Sequence, residues 1–119
     1  MKDERGPSDH IKQIIRFCDS IKLATERFGS DEEDFLEDEL YQNSCCFALV
    51  QIGESIKYLR DNIALPFPEI DWKGLSGMRD IIAHSYHRIV LNRVWKVITE
   101  EIPVLRSRCE MILNELKKA

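Results

Sequence analysis

The chain has 119 residues, 17 Lys and Arg against 21 Asp and Glu, a net charge of −4, and 44% hydrophobic residues with only 5 Gly and 4 Pro. That length suits one compact domain, and the composition excludes disorder, collagen-like repeats and a glycine-rich linker architecture. The longest apolar run, Cys45 to Val50, is far short of the roughly 18 residues a membrane-spanning helix needs.

The first ten residues, Met1 to His10, are polar and charged, so no secretory signal is expected before the domain. Ile11, Ile14, Ile15, Cys18 and Ile21 then recur at three and four positions, which predicts an amphipathic helix capped by Ser8 or Asp9 and ending near Gly29. A second helix is expected from Ser30 or Asp31, with its acidic first turn facing the positive helix end, unbroken to about Asn62. Its middle, Cys45 to Ile52, is apolar on nearly every side and reads as a buried central helix. Leu65-Pro66-Phe67-Pro68 breaks the chain. Asp71 then caps a shorter helix containing Trp72, Leu75, Met78, Arg79, Ile82 and His84. From Leu91 to Leu116 one apolar phase continues on both sides of Pro103, so a kinked helix is expected there. Trp72 and Trp95 lie on apolar stripes and read as core.

These elements predict an all-α protein: an up-and-down bundle of four to five helices forming a single domain over residues 1–119, with its core at about 9–116. A helix of ~30 residues would span roughly 45 Å and overhang so small a core, which points to a homodimer. Cys18, Cys45, Cys46 and Cys109 lack C-x-x-C spacing, and the adjacent pair lies in apolar sequence. Buried thiols in a reducing cytoplasm are the expectation.

Charge is unevenly spread. Seven acidic residues crowd into Asp31 to Glu39, which leaves the rest of the chain at −4 + 7 = +3. Lys73 to Arg108 holds seven basic residues against three acidic ones. The acidic total therefore does not exclude a polyanion partner, since the local field matters more than the sum; a solvated face of mixed charge is the plainer account.

One stretch carries chemistry. Between Arg79 and Arg88 stand two guanidiniums, two imidazoles (His84, His87) and the phenol of Tyr86. Arginine offers a planar fork for phosphate oxygens, and histidine takes or gives a proton near neutral pH. With RNA the 2′-hydroxyl is itself the nucleophile once its proton is removed. Arg79 and His84 are five positions apart, roughly 140° around an ideal helix, so they share no face unless the helix loosens. Tyr86 falls within about 20° of Arg79 on that geometry. Asp80 stands four before His84, where a carboxylate can orient an imidazole. A two-fold axis near this helix would gather two Arg–His sets into one cleft. His84 and His87 have no obvious third ligand, so no metal site is expected. Tyr86 reads more readily as a core tyrosine with a hydrogen-bonded hydroxyl than as a functional phenol. Glu54, at helical spacing from Phe47 and Val50, is either a buried carboxylate seeking a cation such as Arg79 or a solvent-facing one.

Arg79-x4-His84-x-Tyr86, with Ile70-Asp71-Trp72 and Gly77-Met78 before it, Val94-Trp95 after it and Gln51-Ile52-Gly53-Glu54-Ser55 upstream, resembles the HepT-like branch of the HEPN superfamily over residues 9 to 116. The resemblance implies a bundle that dimerises through the motif-bearing helix, with the two motifs facing across the interface. It also implies a metal-independent endoribonuclease toxin that needs no cofactor. A cognate minimal nucleotidyltransferase would silence such a toxin by attaching AMP to the motif tyrosine. Carried onto this chain, Arg79 would stabilise the phosphate, His84 would transfer the proton and Tyr86 would be modified, with Asp80 and Glu54 in support. Asp80 follows the arginine where the family has a polar residue, and an acidic group there repels phosphate unless paired. The other reading is a non-catalytic, nucleotide-binding partner subunit of a nucleotidyltransferase. The modest basic excess over Lys73 to Arg108 favours it.

Overall fold

The computed structural model describes residues 4–84 and 90–118. Its elements are α1 (Pro7–Phe28), α2 (Glu32–Leu36), α3 (Glu39–Asn62), α4 (Trp72–His84) and α5 (Leu91–Lys96), then a π-helical turn (Val97–Glu101) that leads directly into α6 (Ile102–Lys118). Every regular element among the described residues is helical, so the protein is all-α, as expected. α3 packs against α1 on one side and α4 on another, while α6 covers α1.

The apolar stripe of α1 buries Ile11, Ile14, Cys18 and Ile21. The cap differs from expectation: the helix starts one turn's edge earlier, with Gly6 as N-cap and Pro7 as the first helical residue. Pro7 is suited to that position because its missing N–H would have no helical partner. Asp9 Oδ2 accepts from the Gly6 amide at 3.1 Å. At the other end Gly29 has φ +128°, and a Cβ there would collide with the Asp34 side chain.

The expected long second helix is divided. α2 stops at Leu36, and α3 begins afresh at Glu39. No proline is needed for this. Asp38 caps α3 by accepting from the amides of Leu40 (3.0 Å) and Tyr41 (3.2 Å), and Gln42 Nε2 donates to the terminal carbonyls of Phe35 (2.9 Å) and Leu36 (3.1 Å). The break turns Phe35 fully inward, edge-on to Tyr41 with ring centroids 5.1 Å apart. The overhang argument for a dimer falls with it. The 24 residues of α3 span about 36 Å, inside the 45 Å long dimension of the molecule.

α3 is central, but not buried all round: within Cys45–Ile52, Phe47 is 60% exposed. All four cysteines are free and buried. Burial pushes their pKa values up, to about 11 for Cys46 and about 12 for Cys45 and Cys109, so they remain neutral thiols.

The Pro66–Pro68 segment separates α3 from α4. Phe67 takes φ +62°, and the Trp72 indole N–H donates to Pro66 O at 3.0 Å, tying the turn to the start of α4. Trp72 is core; Trp95 is only partly buried, packed against Phe35 with centroids 5.6 Å apart. From Leu91 to Lys118 the chain stays helical through Pro103. Pro103 has no N–H for the carbonyl four residues back. The chain widens to a π-turn over Val97–Glu101 at that point, a form in which single helices absorb such a fault.

Candidate active site

Helix α4 carries the candidate residues, and its start is fixed by Asp71, whose Oδ1 accepts from the Gly74 amide at 2.9 Å. Trp72, Leu75, Met78 and Ile82 form its buried stripe. Arg79 sits at the edge of that stripe, facing α3. There the two helices touch at Gly53: a Cβ on residue 53 would lie 2.6 Å from Arg79 Cβ and 3.3 Å from Leu75 O. Because Gly53 lacks that atom, the arginine stem rests on the α3 backbone. Its guanidinium reaches the next residue along α3, Glu54.

Arg79 Nε donates to Glu54 Oε1, and Nη1 donates to Asp80 Oδ1 at 2.8 Å. These hydrogen bonds, Asp80 first and Glu54 second, hold the Arg79 guanidinium above its ordinary pKa, so it is always cationic. Glu54 faces solvent, 46% exposed, and pairs with Arg79 all the same. The site is thus an ion triad of one cation and two carboxylates at the surface.

His84 is the last residue of α4 and is exposed. The helix remains α-helical through it. The angular separation of roughly 140° from Arg79 therefore persists, and one chain does not bring the two side chains to a common face. Asp80 does not orient His84 as the spacing suggested. Its carboxylate is engaged by Arg79, and among the described residues no hydrogen bond joins Asp80 to His84. Tyr86, His87 and Arg88 lie outside the described residues.

Two residues that matter were not singled out by their chemistry. Gly53 had a visible signal, a glycine in the interior of a long helix, where it costs about 0.5–1 kcal/mol relative to Ala and needs a packing reason. His10 had none beyond its place beside Ile11. It is buried between α1 and α3, with Nδ1 3.3 Å from Ser55 Oγ and its ring stacked on Tyr58 at 3.9 Å. That contact anchors the α3 turn bearing Glu54.

The chain is thus all-helical among the described residues, with Arg79 and His84 in an Arg-x4-His spacing on α4. The family described as "Ribonuclease HepT-like" matches residues 10–112. The chain belongs to that family. It is 30% identical over 113 residues to "Putative RNase TTE0752" of Caldanaerobacter subterraneus subsp. tengcongensis, a match covering 95% of this chain and 99% of the relative. It is 30% identical over 109 residues to "Probable ribonuclease HepT" of Thermococcus cleftensis, covering 92% and 97% respectively. No solved structure matches the chain significantly. Family and relatives support a ribonuclease, and hence an RNA substrate. No helix among the described residues is long and apolar enough to cross a membrane.

Proposed function

We propose that this protein is a metal-independent endoribonuclease toxin whose site is completed by a second copy of the chain. The observation that carries this reading is the position of Arg79 and His84, both solvent-accessible on one short helix yet on different faces of it. Pairing two α4 helices about a two-fold axis sets the arginine of each copy beside the histidine of the other. Ile81, an apolar side chain left exposed on α4 itself, suits such a pairing.

In the cleft, the guanidinium of Arg79 binds the non-bridging phosphate oxygens and stabilises the charge that builds on them. His84 takes the proton from the 2′-hydroxyl, which attacks the adjacent phosphorus. The P–O5′ bond breaks, and the departing oxygen takes up a proton. The products are a 2′,3′-cyclic phosphate and a 5′-hydroxyl. No step draws on a metal. Single-stranded RNA incubated with the protein in excess EDTA is therefore expected to be cut to fragments with those two ends. Full protection of RNA by EDTA would overturn the mechanism, and an inert, folded protein would favour the partner-subunit reading.

The regulation is read from the family resemblance: AMP placed on Tyr86 by a minimal nucleotidyltransferase would add bulk and negative charge beside the motif. Mass spectrometry after incubation with such an enzyme and ATP is expected to find one or more AMP groups on the peptide containing Tyr86. Their absence there, with AMP on other residues, would contradict the assignment.

A further inference from the structure

Arg79 already holds two anions, one on each edge of its guanidinium. A guanidinium has two edges able to grip a phosphate with parallel N–H bonds: Nε with Nη2, and Nη1 with Nη2. Glu54 occupies Nε and Asp80 occupies Nη1, while Nη2 has no partner among the described residues. A phosphate entering either edge displaces one carboxylate, and the two carboxylates are held very differently. Glu54 comes from another helix, between buried Gly53 and buried Ser55, and Ser55 is fixed to His10 of α1. Asp80 is the next residue on α4, followed by exposed Ile81, and its side chain is 68% exposed. Water solvates a departing Asp80 readily. Losing Glu54 would instead release the arginine from α3.

We infer that the two carboxylates have opposite roles: Glu54 is a positioning residue that aims Arg79, and Asp80 is a competing anion that the RNA phosphate displaces from the Nη1–Nη2 edge. This deepens the ribonuclease reading and rests on it. Phosphate binding at that edge leaves the Nε–Glu54 contact intact, so the arginine stays aimed while substrate is bound. Asp80 weakens binding of substrate by occupying the same donor. It also contributes a negative charge that opposes any approaching phosphate, within the Debye length of roughly 10 Å at 0.1 M salt.

The test compares variants in steady-state RNA cleavage and, separately, in binding of a non-cleavable 2′-O-methyl RNA strand by fluorescence anisotropy. Asp80→Asn removes the charge that opposes the phosphate and leaves only a weaker, neutral acceptor at Nη1. It is expected to lower KM about two- to fivefold with kcat unchanged, and to tighten binding of the non-cleavable strand by the same factor. Glu54→Ala is expected to lower kcat up to about 100-fold, the scale of a misplaced group. Glu54→Gln, whose amide oxygen still accepts from Nε, is expected to recover most of that loss. Circular dichroism and thermal melting show that each variant is folded. A KM that stays or rises in Asp80→Asn, or a Glu54→Ala effect confined to KM, overturns the inference. If no variant and no wild-type protein cuts RNA, the ribonuclease reading fails while the binding arm still decides the role of Asp80: tightening supports it, and no change or weakening overturns it.

Discussion

Replacing Arg79 by alanine is expected to reduce RNA cleavage by about 10²–10³, and His84→Ala by about 10²–10⁴, with little change in thermal stability. Arg79 is partly exposed and His84 exposed, neither among the buried polar residues, so the loss is mainly one of chemistry and not of folding. The arginine variant removes the charge opposite the developing phosphorane oxygens. The histidine variant leaves the 2′-hydroxyl without a nearby base. The two proteins also provide a test of how the site is assembled. When the arginine of one copy works with the histidine of the other, mixing inactive Arg79→Ala and His84→Ala chains creates hybrids in which one Arg–His pair is intact. Partial recovery of cleavage after unfolding and refolding the mixture is the expected result. A mixture as inert as its components would place both groups of each working pair on the same chain, and would remove the reason for invoking a second copy.

What the sequence made legible was local. The three-and-four spacing of Ile11, Ile14, Cys18 and Ile21, the Pro66–Pro68 break and the Asp71 cap each act within a few residues, and each appears where it was expected. What it hid depends on competition or on distant partners. The acidic run from Asp31 to Glu39 looked like the first turn of one helix. Asp38 instead caps a second helix, because Gln42 is placed to satisfy the carbonyls that the break exposes. Pro103 announced a distortion, expected as a kink; the chain carries a π-turn over Val97–Glu101 just before it. At the site, residue types were visible and their pairing was not: whether Asp80 would serve His84 or Arg79 turns on side-chain directions that spacing alone leaves open. Gly53 and Arg79 are 26 positions apart (79 − 53), so their contact depends on the packing of α3 against α4.

That contact makes Gly53 the residue on which stability and site geometry meet, and the prediction for it runs against the usual rule. Glycine in a helix interior is about 0.5–1 kcal/mol worse than alanine, so Gly→Ala normally stabilises. Gly77 of α4 obeys that rule, because a Cβ there meets nothing within 4 Å; Gly77→Ala is expected to raise the melting temperature by a few degrees. At residue 53 the new methyl would lie 2.6 Å from Arg79 Cβ and 3.3 Å from the Leu75 carbonyl. Neither obstacle is the loose end of a side chain, so relief requires α4 to move away from α3. Overpacking of this kind costs about 1–3 kcal/mol, which for a protein of this size lowers the melting temperature by about 4–12 °C. The same displacement carries Arg79 away from Glu54, so activity falls more steeply than stability, by up to about 100-fold for a shift near 1 Å. Differential scanning calorimetry on the two alanine variants, with cleavage assays well below the melting transition, reads both effects. A Gly53→Ala protein as stable and as active as the parent would mean that α3 and α4 do not meet at this residue, and that something other than their close approach sets the direction of Arg79.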